Sequence, residues 1–328
     1  METTGPHQKS RPAGRTELLT RKIAGSGDAL FSNLTLLFAL GIVGLFVAML
    51  ILLNIDAMQS IRKFGLSFFT STVWNAVTEE FGALPAIYGT LLTSFIGMAL
   101  AAPISLGAAI FLAELAPGWI RTPASFLIEM LAAIPSVIIG LWGLFVLVPF
   151  VRSPVESWLG DKLGFIPLFQ GPPFGVGFLA AGLILAIMTI PIITALSRDV
   201  IRAVPQTQRE AMLALGATRW ETINQAVLPY CRSGIIGALI LGLGRALGET
   251  MAVTMVIGSS YKLTASLFSP GDTISSKIAN EFAEADSEIF ISSLVELALV
   301  LFGITLLVNI VARILVWRAA GPARGARD

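Results

Sequence analysis

Six long apolar stretches most constrain how this chain can fold. A helix needs about 20 consecutive apolar residues to cross a hydrocarbon layer of roughly 30 Å. Six stretches meet this length, and four of them contain no charged residue, unlike the two-faced helices of soluble proteins. A membrane β-barrel would show short alternating segments instead. The sequence therefore predicts an all-α polytopic membrane protein with six transmembrane helices, near residues 31–53, 86–113, 131–151, 174–197, 233–258 and 290–312.

Composition agrees with this class and excludes several functions. Charged residues make up 13% of the 328 residues, against about 25% in soluble domains. The single cysteine, Cys231, excludes an internal disulfide and is expected to be a buried apolar side chain. The single histidine, His7, lies in a polar segment, which excludes His-based catalysis and most transition-metal sites. The first 30 residues are expected to be disordered, and the apolar run that follows is too long for a cleaved signal peptide.

The distribution of Lys and Arg predicts the orientation in the membrane. Fifteen lie on the side that carries both termini and the 198–232 loop, and six lie in the loops of the other side. By the positive-inside rule, both termini and this loop are expected to be cytoplasmic. The other side carries acidic residues and two segments, 54–85 and 259–289, that are long enough to have structure of their own. Ordinary solubility and the docking of an external partner both remain open for these acidic residues.

These expectations divide the chain into four parts. A cytoplasmic N-terminal tail precedes the first transmembrane helix and its external segment. The transmembrane core follows, and it includes the 198–232 loop. The predicted boundaries are 1–30, 31–85, 86–317 and, for a cytoplasmic C-terminal tail, 318–328.

The 198–232 loop has the sequence signals of two short helices. Residues 206–215 suit a helix that ends at Gly216, where a left-handed cap is favoured. Thr218 and Glu221 form a Ser/Thr-x-x-Glu capping box that begins a second helix. Pro229 is expected to end that helix. The loop is therefore predicted to be a compact helical hairpin on the inner face of the membrane.

The residues of this loop also carry a family resemblance. Glu210 and Ala211, followed by Gly216 and then Leu228-Pro229, resemble the EAA loop of ABC importer permeases, although Ala226 departs from the usual isoleucine. The resemblance implies the type I ABC importer permease architecture. It also implies that these residues couple the chain to an ATPase subunit, in a cleft of which the loop of that family sits. A cytoplasmic hairpin without a special role is the alternative.

Two charged residues, Arg245 and Glu249, lie inside the fifth apolar stretch. They are four residues apart, so we expect them to share one helix face. A lone charge at mid-bilayer costs roughly 3 kcal/mol, so such residues face protein or water. A structural ion pair is one interpretation. The other is an anion pathway, in which the planar guanidinium of Arg245 binds an oxyanion and Glu249 competes with it.

The segment around Arg245 resembles the permease subunits of phosphate-specific transport systems of the PstC type. The resemblance covers about residues 60–318, and it departs at Ala76 and Ser259. It implies a substrate pathway for inorganic phosphate that includes Arg245, Glu249, Thr250 and Ser136. Ser136 follows Pro135 at an expected break in the third helix, which is either a polar opening or a simple kink. Further matching stretches are Trp74-Asn75, Phe81 to Pro85, Gly89 to Leu91, Ile134 to Val137 and Phe268 to Ile274.

The chain lacks the sequence signature of a nucleotide-binding loop, since it contains no Gly-Lys pair. We therefore expect a transport subunit that is not an enzyme and holds no cofactor or metal. The resemblance implies that ATP and Mg are bound by a dimeric ATPase partner. It further implies a second homologous permease, an extracytoplasmic phosphate-binding protein and a location in the cell (plasma or inner) membrane, with no nucleic acid.

Two other functions remain open at this point. One is an ABC permease for another oxyanion such as sulfate or molybdate, which uptake with competing oxyanions would separate from a phosphate permease. The other is a secondary transporter or a membrane scaffold. Secondary transporters often contain inverted repeats, and none is evident here. A secondary transporter or a scaffold needs no ATPase partner, so co-purification of an ATPase would distinguish both of them from an ABC permease.

Overall fold

The computed structural model is almost entirely helical. It describes residues 15–320, and the side chains of residues 28–314. Six helices in this part are long and apolar enough to cross a membrane, as predicted. A helix satisfies its own backbone hydrogen bonds, which a bilayer cannot do for it. The candidate spans are Asp28–Asp56, Leu84–Leu115, Ser136–Leu163, Phe178–Arg202, Arg219–Gly248 and Glu288–Ile314.

The chain divides into two compact units, residues 1–55 and 56–328. The described part of the first unit, residues 15–55, lies in helix α1 (Arg15–Asp56). It begins well before residue 31, so the expected disorder of the first 30 residues is wrong from Arg15 onward. The physical reason is that residues 15–23 contain no Gly or Pro and include several strong helix formers. Residues 1–14, and the predicted C-terminal tail beyond residue 320, lie outside the described residues.

The described part of the second unit contains helices joined by short 3-10 and π turns, and one small two-stranded sheet. Strands β1 (Trp74–Asn75) and β2 (Glu80–Phe81) of this sheet are antiparallel. The helices are α2 (Met58–Phe64), α3 (Leu84–Ile110), α4 (Gly118–Ala132), α5 (Ser136–Trp142), α6 (Val148–Phe150), α7 (Ser157–Leu163), α8 (Phe178–Arg202), α9 (Gln206–Ala214), α10 (Arg219–Thr222), α11 (Leu228–Gly248), α12 (Met251–Ile257), α13 (Ile274–Glu281) and α14 (Glu288–Ala320).

Helices α3 and α8 pack closely at the centre of the second unit. A Cβ atom at Gly182 would collide with the side chain of Ile96, and one at Gly97 would lie 2.9 Å from Leu185 Cβ. Such small residues allow transmembrane helices to approach until their backbones nearly touch. The apolar core around this contact includes Phe178, Ile184, Leu185, Val256 and Ile257.

The third span is interrupted at a proline, as the sequence predicted. Helix α4 ends at Ala132 and α5 begins at Ser136, with Pro135 in an extended conformation between them (φ −58°, ψ 137°). Proline has no N–H to continue the helical ladder. The apolar span therefore begins at Ser136 rather than near residue 131.

The fifth span corrects a prediction about Pro229. This proline does not end a helix, because a single helical run continues from Arg219 to Gly248. A π turn at Ile223–Val227 ends two residues before Pro229. In a regular α-helix, the carbonyl one turn before a proline has no N–H to accept from, because proline has none. The π turn changes the hydrogen-bond pattern in that turn. The second helix of the predicted hairpin is thus the beginning of the fifth span.

The connections between spans lie at two opposite ends of the second unit. At the hairpin end, which we define by residues 111–122 and 199–222, Arg209 forms an ion pair with Glu114. At the cap end, defined by residues 57–83, 164–177 and 258–287, Tyr88 Oη donates to the Thr264 carbonyl at 3.0 Å. The Ser266 hydroxyl donates to the Gln170 carbonyl at 2.5 Å at the same end.

Aromatic side chains hold the cap end together. Phe81 stacks on Phe290 with ring centroids 5.1 Å apart, and Trp74 meets Phe81 edge-on at 4.8 Å. Phe68 and Phe81 are almost completely buried. Such rings contribute both a large apolar area and a preferred geometry. The expected structure in segments 54–85 and 259–289 is therefore confirmed.

A buried lysine, Lys277, cross-links these two segments. Its Nζ lies 2.6 Å from Glu281 Oε1 and 3.9 Å from Asp272 Oδ2, and it sits 4.5 Å from the ring centroid of Tyr261. Trp74 Nε1 donates to Glu281 Oε2 at 2.5 Å. Asp272 is only 3% exposed. Asp272 therefore belongs to the interior rather than to an acidic outer surface. Lys277 is the positive charge that faces it there.

Asp272 makes the stability of the cap end depend on pH. Burial raises the pKa of Asp272 to about 6, in spite of the hydrogen bond from Ser276 and the charge of Lys277. The folded state therefore binds a proton more tightly than the unfolded state between about pH 4 and pH 6. The contribution of Asp272 to the free energy of unfolding accordingly falls as pH rises through this window, by at most roughly 3 kcal/mol, and is constant above it.

We expect Asp272→Asn to remove this contribution, because the amide cannot ionise. Thermal unfolding in detergent, measured from pH 4 to pH 7, checks it. The Tm of the unmodified chain should fall relative to that of Asp272→Asn as pH rises to 6. Asp286→Asn, on an exposed residue of the same segment, is the matched control and should run parallel to the unmodified chain. Parallel curves for Asp272→Asn as well would contradict the prediction.

Candidate functional site

The backbone breaks between α11 and α12, at the residues predicted to line a pathway. Helix α11 ends at Gly248, and Glu249 is extended (φ −70°, ψ 125°). Thr250 follows with φ −107° and ψ −65°, and α12 begins at Met251. Arg245 and Glu249 therefore do not share a helix face, and that prediction is wrong. One physical reason is that Glu249 accepts a hydrogen bond from Ala252 N at 3.4 Å and so caps the next helix.

Arg245 lies on a groove between the fourth, fifth and sixth spans. The groove has a volume of about 440 Å³ and is open to the outside of the chain. Its other polar lining residue is Asn309, and the remaining lining residues are Ile192, Gly237, Ile240, Leu241 and Gly244. Arg245 is exposed in the single chain. Within the described side chains, no carboxylate lies within 4.0 Å of its guanidinium.

This arrangement separates the predicted pathway residues into two groups. Arg245 lines the groove, whereas Glu249, Thr250 and Ser136 do not. Thr250 and Glu249 form the break itself, where the Thr250 hydroxyl donates to the Gly248 carbonyl at 3.3 Å. Ser136 begins α5, which packs against α12 beyond the break. An arginine without a carboxylate partner on an open, mostly apolar groove can bind an oxyanion with its planar fork of N–H donors.

The predicted hairpin turn is present at the hairpin end. Helix α9 covers Gln206–Ala214, and Gly216 follows in the left-handed region with φ 85°. Thr218 and Glu221 form the expected capping box, with Thr218 N donating to Glu221 Oε2 at 2.7 Å. These contacts confirm that local sequence signals determine the turn.

The hairpin presents an apolar surface together with its polar motif residues. Glu210, Ala211 and Gly216 are exposed. Leu215 is 84% exposed and Trp220 is 62% exposed. Leu228 and Pro229 belong to the continuous fifth span instead of the turn, with Leu228 half-buried and Pro229 exposed. An exposed apolar patch with a polar border is typical of a surface that docks a partner protein.

A clamp that the sequence analysis missed holds this hairpin to the bundle. Arg209 Nη2 lies 2.7 Å from Glu114 Oε1 at the end of the second span, and both side chains are mostly buried. Arg209 also donates to the Val204 carbonyl at 2.5 Å and to the Ile201 carbonyl at 2.9 Å. The fork of Arg209 thus satisfies carbonyls at the end of α8 as well as a carboxylate. Two isolated charges 95 residues apart carry no local pattern that could have revealed the pair.

Comparison with known proteins places this geometry in a family context. The family described as "Binding-protein-dependent transport system inner membrane component" matches residues 105–320. The chain is 50% identical over 293 residues to the "Phosphate transport system permease protein PstC" of Haemophilus influenzae, covering 88% of this chain and 93% of that protein. It is 45% identical over 317 residues to the protein of the same name from Mesorhizobium japonicum, covering 95% and 97%.

Solved structures show the same fold at low sequence identity. The chain matches a chain of a bacterial alginate ABC transporter with a TM-score of 0.60 and 16% identity, covering 92% of this chain and 98% of that one. It matches a chain of the MetNI methionine ABC transporter with a TM-score of 0.52 and 18% identity, covering 72% and 94%. The predicted fold class, a six-helix permease of the ABC importer type, is confirmed.

The clamp predicts a specific energetic coupling. We expect Arg209→Met to lower the free energy of unfolding by roughly 3 kcal/mol, because it leaves the mostly buried Glu114 without its partner. Adding Glu114→Gln should recover part of this loss, since the unpaired charge is then gone. Denaturant unfolding in mixed micelles measures both variants and Glu114→Gln alone. Arg219→Met, on an exposed arginine of the same hairpin, should change little. Strictly additive effects of the two substitutions would contradict the clamp.

Proposed function

The chain belongs to the family of binding-protein-dependent transport system inner membrane components, and we propose that it is the permease subunit of an ATP-driven phosphate importer. Its close likeness to proteins named as phosphate transport system permeases supports this cargo. The observation that carries the proposal is the exposed guanidinium of Arg245 on a groove between three spans. Such a group stabilises an anionic cargo more strongly than a neutral one.

The open side of the Arg245 groove supports a pathway shared with a second homologous permease. An arginine facing lipid is costly, so its groove is expected to be covered by protein or filled with water. In this proposal the second permease closes the groove, and inorganic phosphate passes along the interface between the two subunits. Glu249 and Thr250 shape the backbone at the pathway's turn, and Ser136 lies on the element that packs against it. A transport site must also release its cargo, which one arginine without further anion ligands favours.

The hairpin end is the proposed docking surface for a dimeric ATPase subunit. The exposed Glu210, Ala211 and Gly216, with neighbouring Leu215 and Trp220, form its contact surface. Leu228 and Pro229 act at the base, where the hairpin joins the fifth span. ATP and Mg bind to the partner, and no cofactor is assigned to this chain. Closure of the ATPase pair moves the hairpin, and the bundle opens outward to receive phosphate.

The proposed orientation has the hairpin end and both termini in the cytoplasm of a cell with this protein in its plasma or inner membrane. The excess of Lys and Arg on this side supports it. The cap end then faces an extracytoplasmic phosphate-binding protein. Its folded, cross-linked segments offer that partner a defined surface rather than a mobile loop.

Removal of the guanidinium tests the cargo. We expect Arg245→Gln to lower ATP-dependent phosphate uptake by about tenfold or more, because one charge-assisted contact is worth roughly 1.5–3 kcal/mol. Uptake is measured in proteoliposomes with the second permease, the ATPase and the binding protein, with sulfate and molybdate as competitors. Arg232→Gln, on an exposed arginine of the same helical run, is the control. Co-purification of all subunits establishes assembly. Unchanged uptake in Arg245→Gln, or stronger competition by sulfate than by unlabelled phosphate, would contradict the proposal.

Backbone strain at the hairpin turn tests the coupling. A Cβ at Gly216 meets no neighbouring atom, so its positive φ is the only obstacle to substitution. Gly216→Val is therefore expected to distort the turn and to abolish ATP-driven uptake, because β-branched residues avoid this region. Gly216→Asn should retain most of the uptake, since asparagine tolerates it. Both variants are compared for uptake, subunit co-purification and ATPase activity. Equal uptake in the two variants would contradict the coupling role.

A further inference from the structure

A polar pocket separate from the Arg245 groove lies at the hairpin end, between α4 and the end of α8. Its volume is about 460 Å³. Three of its lining residues are arginines, and none of them belongs to the Arg245 groove or to the Arg209 clamp. The lining residues are Arg121, Thr122, Ser125, Phe126, Glu129, Arg198 and Arg202.

Arg198 is the buried centre of this pocket. Its side chain is only 6% exposed. Its Nη2 donates to Glu129 Oε1 at 2.9 Å and to Asp199 Oδ1 at 2.8 Å, and its Nε donates to Asp199 Oδ1 at 3.0 Å. Its Nη1 is buried and has no acceptor among the described residues. A buried N–H group without an acceptor is costly, and a guanidinium group especially so.

Helix α4 contributes further donors to the same pocket. Arg121 Nη2 donates to the Ala116 carbonyl at 3.0 Å, whereas Arg121 Nε is buried without an acceptor among the described residues. The Ser125 hydroxyl is likewise buried and unpartnered there. Two elements therefore each contribute to the lining residues that hold a buried donor without an acceptor among the described residues. Acceptors are what this set of groups lacks, and a phosphate group has several oxygens that accept.

The charges around the pocket favour an anion. Three guanidinium groups are opposed by two carboxylates, Glu129 and Asp199, and both carboxylates pair with Arg198. These carboxylates are 56% and 61% exposed, so solvent weakens their effect. Arg121 and Arg202 have no carboxylate within 4.0 Å among the described residues. The pocket retains a net positive charge at the side of Arg121 and Arg202.

The surroundings of the pocket also suit a group at the membrane surface. Phe126 lines it, and Phe126, Leu127 and Met130 of α4 are all more than half exposed. Basic pockets between helices on the cytoplasmic side of a membrane bind anionic lipid headgroups. We propose that the Arg121–Arg198–Arg202 pocket binds a phosphate group, either the phosphodiester of an anionic lipid headgroup or free inorganic phosphate. This proposal does not depend on the role of Arg245.

The variants are chosen to keep the ion pairs of Arg198 intact. Arg198 is left unchanged, because its loss would leave Glu129 and Asp199 without a partner. The test variant is Arg121→Gln with Arg202→Gln, and Arg202→Gln alone is a milder variant, since Arg202 is exposed and unpaired among the described side chains. The matched control is Arg232→Gln with Arg313→Gln, which removes two charges at exposed residues that do not line the pocket.

Two binding measurements separate the two sources of phosphate. Native mass spectrometry of the detergent-purified full chain follows titration with phosphatidylglycerol and, separately, with phosphatidylcholine. Equilibrium binding of radiolabelled inorganic phosphate is measured with Arg245→Gln present in every variant, so that the groove does not contribute. We expect binding of at least one of the two probes, weakened about tenfold in the double variant and less in Arg202→Gln, as expected for the loss of charge-assisted hydrogen bonds.

Each outcome decides the proposal. Weaker phosphatidylglycerol binding in the test variants, with the control unchanged and little phosphatidylcholine bound, supports a lipid headgroup. Weaker inorganic phosphate binding supports the free ion, and a loss of both supports a site that accepts either. Equal binding in the double variant and the control, or no binding of either probe to the chain, overturns the proposal. A failure here leaves Arg245-dependent uptake untouched, so the two proposals stand or fall separately.

Discussion

The placement of one positive charge within an apolar bundle is the constraint on which the rest of this structure depends. Within the described side chains, the guanidinium of Arg245 has no carboxylate partner. A lipid environment cannot compensate for that charge, so the chain must supply a groove that water, a second subunit or an anion can occupy. The glycines of α11 that line this groove, Gly237 and Gly244, keep it open because they have no side chains. The function that we propose rests on this electrostatic requirement more directly than on the helical fold.

The continuity of the fifth span connects this groove with the hairpin. One helical run of 30 residues extends from Arg219 in the hairpin to Gly248 next to the break, a length of about 45 Å at 1.5 Å per residue. The Arg209–Glu114 clamp joins the other half of the hairpin to the second span. A continuous helical run therefore joins the hairpin to Arg245, and an ion pair joins the hairpin to the end of the second span. Irregular backbone at membrane depth, such as the break at Glu249, is tolerated where protein or a cavity surrounds it.

Sequence patterns predicted the parts of this structure that depend on local or compositional physics. Long uncharged stretches determine the six spans, and Gly216 with the Thr218–Glu221 box determines the hairpin turn. The helical continuity through Pro229 could not be predicted, because it depends on a π turn that costs little in one context and much in another. The separation of Arg245 from Glu249 depends on how α12 packs against α5 and α8. The clamp at Arg209 and the pocket at Arg198 bring together residues far apart in sequence, which only the tertiary fold determines.

Accessibility of the groove beside Arg245 in the assembled importer tests the central claim most directly. Leu241 lines the same groove one turn away and is 58% exposed. Cys231 is the only cysteine, so Leu241→Cys in a Cys231→Ala chain carries a single thiol. The account predicts that a membrane-impermeant, cationic thiol reagent modifies this cysteine in at least one nucleotide state, and that saturating phosphate slows the reaction. Absence of modification both with and without ATP would show that the groove faces lipid or is sealed, and would contradict the account.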